Sequence, residues 1–172
     1  MNLASDDFEL FGLARRFGLD RADLDQRWRA LQGQIHPDKF AGEGAAAKRV
    51  ALQWAVRVNE AYQRLQQPLR RAAYLCELAG QAIDAETNTA MPPAFLMRQM
   101  ALRESLDAAQ GADQVESLAA AVALQREAAT QRLQRLIDAE QDMPSAAQEV
   151  RGLMFLERFA ADIERRLEAL QD

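Results

Sequence analysis

The side chains best equipped for chemistry are those of His36, Pro37 and Asp38, a tripeptide holding the only histidine of a 172-residue chain. Chance places His-Pro-Asp in a chain this long on the order of once in a hundred. An imidazole two residues from a carboxylate has the parts of a general base and its orienting partner. That chemistry also needs a substrate pocket, and zinc would need further ligands. There is no second histidine and Cys76 is the lone cysteine, so a metal site is not expected. A Gly-rich phosphate loop is also missing, so the chain is not expected to bind ATP, to carry a cofactor or to be an enzyme. The plain alternative is that Pro37 only ends a helix and its polar neighbours are solvated turn residues.

The elements around the tripeptide argue for more than that. Leu24, Trp28, Leu31 and Ile35 form one stripe between Asp20 and Ile35, so an amphipathic helix is predicted there. Asp20 is placed to cap it, and Pro37 stops it because the residue before a proline resists helical dihedrals. Lys39, Phe40 and a Gly/Ala-rich loop with Gly42 and Gly44 follow. A second helix is predicted over about 46–66, with Val50, Trp54, Val58, Tyr62 and Leu65 as its stripe. A short apolar helix from Phe8 to Phe17, capped by Asp6 or Asp7 and ended by Gly18, precedes the pair. Pro68 suits the first turn of a short helix through Leu78.

Residues 80–93, from Gly80 through Pro92-Pro93, read as a linker. Three helical patterns follow, over about 94–109, 114–140 and 145–171, with Gly111 breaking the first from the second. Asp113 with Glu116, and Ser145 with Gln148, resemble capping boxes for the later two. The expected fold is all-α. Residues 1–79 form an antiparallel helix pair with short flanking helices, residues 80–93 the linker, and residues 94–172 a three-helix bundle.

Composition agrees with packed helices: 49% of residues are apolar, and alanine, leucine, glutamine and arginine outnumber β-branched types. A single cysteine fits a reducing compartment. Asp6 and Asp7 stand where a secretory leader needs basic and then apolar residues, and no apolar run reaches a membrane span. A cytoplasmic protein without membrane attachment is expected. The net charge of -5 divides unevenly, +3 over residues 1–75 and -8 over residues 76–172. The acidic half and the lack of a continuous basic face disfavour nucleic acid.

The helix over 94–109 carries more apolar surface than one core requires. At about 100° per residue, Phe95, Leu102 and Leu106 fall on one side, and Leu96, Met97 and Met100 with Glu104 on another. The first cluster can pack into the bundle; the second can face a partner or seal the bundle's end. In the last helix Leu156, Phe159, Ile163, Leu167 and Leu170 make a stripe, and Phe155 lies roughly 100° from its centre. Methionine and aromatic side chains favour partner sites because they supply large, adaptable contact area.

The helix–His-Pro-Asp–helix frame, with Val58-Asn59-Glu60-Ala61-Tyr62 at its far end, resembles a J-domain. Asp7-Phe8-Glu9-Leu10-Phe11-Gly12-Leu13, Pro68-Leu69-Arg70-Arg71-Ala72-Ala73-Tyr74-Leu75 and Ala94-Phe95-Leu96-Met97-Arg98-Gln99-Met100 resemble one branch of that superfamily. That branch is HscB, the co-chaperones of iron–sulfur cluster biogenesis, and the resemblance covers nearly the whole chain. It implies a protein that stimulates ATP hydrolysis by a dedicated DnaK-type chaperone, HscA, and delivers the scaffold IscU to it. His36 then supplies directional hydrogen bonding, Pro37 fixes the turn and Asp38 makes an acidic contact. Lys39, Arg27 and Arg29 add steering charge. The scaffold surface carried over by position is Leu96, Met97, Met100, Glu104 and Phe155, with Ala101 and Ala108 where family members can carry acidic residues.

One departure bears on the partner. Many J-domains place further basic residues just before the tripeptide, where this chain has Gly33 and Gln34. Arg27 and Arg29 also lie about 160° apart on an ideal helix, so they cannot form one tight patch. That fits a dedicated chaperone partner. The alternatives are a general J-protein for unfolded clients, which suppresses aggregation of arbitrary proteins, and a helical adaptor whose tripeptide is inert.

Overall fold

Helix ends in the N-terminal half are set by side chains that can be named. Asp6 accepts the Glu9 amide at 2.9 Å and starts α1 (Asp7–Phe11). Gly12 ends it at φ 63°, where a glycine meets no Cβ penalty. The amides of Gly12 and Leu13 turn back to the carbonyls of Glu9 and Phe8. The helix therefore stops well short of Phe17. Its last carbonyls are closed by a distant side chain, with Arg27 Nη1 donating to Phe11 and Gly12 at 2.9 and 3.0 Å. Asp20 caps α2 (Arg21–Ile35) by accepting the Ala22 amide at 2.8 Å, as the spacing predicts.

The computed structural model describes residues 5–35, 39, 42, 44–83 and 91–171, and among these there is no β-strand. After α2 come α3 (Ala45–Gln66) and α4 (Pro68–Leu78), then α5 (Pro93–Ala108), α6 (Ala112–Gln134) and α7 (Met143–Gln171). The all-helical expectation holds. Two compact units divide the chain, Met1–Leu75 and Cys76–Asp172.

In the first unit α2 and α3 run antiparallel, since contacts step backwards along α3 as α2 advances. Arg21 donates to Tyr62 and Gln66, Trp28 to Asn59 at 3.1 Å, and Gln32 again to Asn59. The Trp28 ring stacks on Tyr62 with centroids 4.6 Å apart. Leu24 and Ile35 are buried, as are Ala51, Val58, Ala61 and Leu65 of α3. Val50, expected on the inner stripe, is 51% exposed, and Ala51 takes the inward place one residue on. Phe8 of α1 stacks on Tyr74 of α4, and the Arg71 guanidinium covers the Phe17 ring at 5.0 Å.

A buried ion cluster ties these pieces together. Asp7 is wholly buried, with Arg57 Nη1 2.7 Å from its Oδ1 and Arg64 Nη1 2.8 Å from its Oδ2. The Arg64 contact is an aligned hydrogen bond, whereas Oδ1 receives none, so Arg57 acts there chiefly by charge. Arg57 also donates to the Ser5 carbonyl, and Arg64 lies over the Tyr74 ring at 4.7 Å. Tyr74 in turn accepts the Asp7 amide at 3.1 Å.

The second unit is built on an antiparallel pair, α6 and α7. Val115, Val122, Ala129 and Leu133 face Ala146, Val150, Leu153, Phe159 and Ile163 in a buried seam. The ion pairs Arg126–Glu157 and Arg132–Glu149 flank it at 2.6 and 2.7 Å. Neither anticipated capping box forms. Gly111 stands at the N-cap of α6 without a side-chain bond, and α7 starts earlier, with Asp142 accepting the Ser145 amide at 3.1 Å. The end of α6 widens into a π-helical turn, Arg135–Glu140, closed by Gln141 at φ 55°. The stripe of α7 frays at its end, where Leu170 is exposed.

Candidate functional site

Two surfaces carry the residues singled out by sequence. The first lies at the end of α2. His36, Pro37 and Asp38 fall outside the described residues, directly after Ile35. Lys39 is exposed. Arg29 is exposed too and adds positive charge beside Asp25, whose carboxyl is held below its ordinary value first by the Tyr62 hydroxyl and Arg21. Arg27 is occupied differently. Besides capping α1 it pairs with Asp23 at 2.9 Å, so its guanidinium is held on the α1 side of the unit. Arg27 and Arg29 are not drawn into one patch.

The second surface belongs to α5. No α5 residue is fully buried, although Phe95, Leu102 and Leu106 turn inward as their spacing predicts. Leu96, Met97 and Met100 are 46%, 70% and 61% exposed, a run of large apolar side chains left open to solvent. Glu104 is exposed one turn beyond Met100, as are Ala101 and Ala108. Phe155 does not stand free beside this patch. It meets Phe95 edge-on at 6.1 Å, stacks on Phe159 at 5.7 Å, and has the Arg103 guanidinium 5.9 Å from its ring centre. Leu96 and Phe155 line one cavity of ≈ 270 Å³. Leu96 and Phe155 are thus brought together, and Met97, Met100 and Glu104 extend the surface along α5.

Gly152 lets the Phe95 ring approach α7 closely. A Cβ on it would stand 3.3 Å from Phe95 Cε2, so the missing side chain is the notch that receives the Phe95 ring. A second groove of ≈ 610 Å³ runs beneath α5 between α6 and α7, lined by Phe95, Leu102, Leu136 and Leu156 among others. Among the described residues no group of His, Cys, Asp and Glu is placed to hold a metal ion. No helix among them is long and apolar enough to cross a membrane.

Comparison with known proteins decides the family. A curated protein of Burkholderia mallei, named co-chaperone protein HscB homolog, is 48% identical over 99% of both chains. The chain belongs to the HscB co-chaperone family. The family model for the HscB C-terminal oligomerisation domain matches residues 91–164. The solved HscB chaperone of Vibrio cholerae covers 96% of this chain and 99% of its own at a TM-score of 0.80 and 35% identity. Human co-chaperone HscB superposes with a TM-score of 0.89 at 25% identity, over 96% of this chain and 83% of its own. The Jac1 co-chaperone of Saccharomyces cerevisiae, at 18% identity, shares the fold with a TM-score of 0.77. Relatives in the HscB family are named as co-chaperones rather than enzymes, and the J-domain-plus-helical-domain architecture is common to them.

Sequence reasoning missed two residues that shape the α5 surface. Arg103 gives no signal in a helical-wheel reading, because its partner ring lies 52 positions away on another helix. Gly152 sits inside a long helical pattern, and an interior glycine, costly there by roughly 0.5–1 kcal/mol against alanine, is the signal that marks a close approach.

Proposed function

We propose that this chain is the co-chaperone of an iron–sulfur assembly system, with two separate docking surfaces. The His36-Pro37-Asp38 segment, with Lys39, Arg29 and Arg27, engages the DnaK-type ATPase HscA and stimulates its hydrolysis of ATP. The Leu96, Met97, Met100, Glu104 and Phe155 surface binds the scaffold IscU. The cluster itself is the scaffold's cargo and needs no ligand from this chain.

The observation that carries the second half is the open run of Leu96, Met97 and Met100. Exposed apolar patches on soluble proteins mark interaction sites, and this one lies on a helix that contributes no fully buried side chain to its own unit. Holding the ATPase and the scaffold together raises the effective concentration of each for the other. Binding and hydrolysis are thereby coupled, and cluster transfer to an acceptor is promoted.

The test is steady-state ATP turnover by HscA with this protein and IscU added separately and together. Synergy is expected, and Leu96→Ala with Met97→Ala should remove it while leaving the stimulation that needs no scaffold. His36→Gln is expected to abolish stimulation yet keep IscU binding. Loss of both activities in a folded His36→Gln variant contradicts the two-surface division.

A further inference from the structure

We infer that the cavity beside Leu96 reads a carboxylate on the scaffold, making Arg103 and Arg158 specificity determinants of the docking surface. This rests on the scaffold-binding reading above. The cavity has an aromatic floor, Phe95, Phe155 and Phe159, and a rim of three arginines, Arg103, Arg151 and Arg158. Arg151, Phe155 and Arg158 follow at spacings of four and three, so they share one face of α7. Arg103 reaches over from α5 and rests on the Phe155 ring.

The distribution of charge picks out this place. The unit Cys76–Asp172 contains nine arginines in a segment of net charge -8. Arg126, Arg132, Arg135 and Arg165 are each matched to a carboxylate. Of the other five, three surround this one cavity, and no ion pair joins them to a carboxylate among the described residues. The acidic residue on the rim, Asp162, is already paired with Arg165. Arg151 gives one N–H to the Ala82 carbonyl at 2.9 Å, and its buried Nε has no hydrogen-bond partner. A buried donor without an acceptor costs free energy until one arrives.

Size and chemistry define the occupant. At ≈ 270 Å³ the space falls below the about 300–1,000 Å³ usual for small-molecule sites, so it suits a protein side chain rather than a cofactor. Arginine favours carboxylates, which match its fork of donors, and the aromatic floor favours an apolar neighbour. The structure therefore assigns the cavity to an Asp or Glu of the scaffold standing next to an apolar residue. Where acidic residues are missing on α5, at Ala101 and Ala108, complementarity here runs the opposite way, from basic rim to acidic partner.

The experiment measures IscU binding by the full chain, by calorimetry and by association kinetics at low and high salt. Arg103→Glu with Arg158→Glu is expected to weaken binding by at least about tenfold and to flatten the loss of association rate with salt. Arg103→Lys with Arg158→Lys, which keeps the charge, should retain most of the affinity. An IscU variant with a contacting carboxylate changed to lysine should recover binding to the reversed chain. Unchanged or tighter binding by the Glu variant overturns the inference, and equal loss in the Lys variant overturns it too. In either case the scaffold reading stands if Leu96→Ala with Met97→Ala still abolishes binding. Failure of the unmodified chain to bind IscU removes both.

Discussion

Replacing Asp7 by alanine leaves two arginines sharing an empty site, and the expected cost is large. Removing one partner of a buried ion pair costs about 3–5 kcal/mol, because the remaining charge stays desolvated. Here the side chains of Arg57 and Arg64 are 22% and 41% exposed, so both can recover some water and the lower end applies, about 3 kcal/mol. At about 4–8 °C per kcal/mol for a unit of this size, the unfolding midpoint should fall by roughly 12–24 °C. Both tryptophans of the chain, Trp28 and Trp54, lie in the same unit as Asp7, so tryptophan fluorescence follows that unit alone. Asp7→Asn keeps the volume and loses the charge, and should fall between. Because Asp7 itself is wholly buried, raising salt should remove only part of the Asp7 effect. A drop of less than about 4 °C for Asp7→Ala, or full removal of the effect by salt, refutes the reasoning.

Acid should weaken the same unit through other carboxylates. Burial works against the charge on Asp6, but the Glu9 amide and Arg15 outweigh it, and the Tyr62 hydroxyl and Arg21 hold Asp25 low as well, both below the ordinary 3.8. A depressed folded-state value means that the stabilisation is complete above 3.8 and drains away as pH falls through the lower value. The fluorescence midpoint should therefore be flat from neutral pH to about 5 and fall below about 4, less steeply in Asp6→Asn. Cys76 offers a third check: it is fully buried, and burial pushes its thiol up to about 11 from 9.0. Alkylation near neutral pH should be on the order of a hundredfold slower than for a free thiol and should accelerate only on unfolding; rapid labelling of the native chain contradicts this.

Local signals carried much of the fold. Asp20 as a cap, Pro68 in a first turn and the Leu24–Ile35 stripe each act within a few residues, so their effect is written in the spacing. The failures are non-local or finely balanced. The sequence reads Gly18 as the stop of the first helix, but the helix ends at Gly12, where Arg27 closes the last carbonyls from another helix. Val50 and Ala51 differ by one step on a wheel, and packing decided between them. Asp7 looked like a cap because nothing near it in sequence says that Arg57 and Arg64 converge on it. At the α5 surface, amphipathic spacing separated Leu96, Met97 and Met100 from Phe95, Leu102 and Leu106 correctly. It treated Phe155 as a lone outlier, because an aromatic cluster assembled from two helices has no period in either one.

The Gly152 notch has a meaning for how this fold can change over generations. With 3.3 Å between an added Cβ and Phe95, positions 95 and 152 behave as one inherited character rather than two. A lineage that enlarges residue 152 pushes on the Phe95 ring, and the strain is relieved by a ring shift, a smaller residue 95 or a movement of α5 away from α7. Substitutions at these two sites should arise together or in quick succession. A chain carrying a large residue at both is one whose α5 surface has begun a different career.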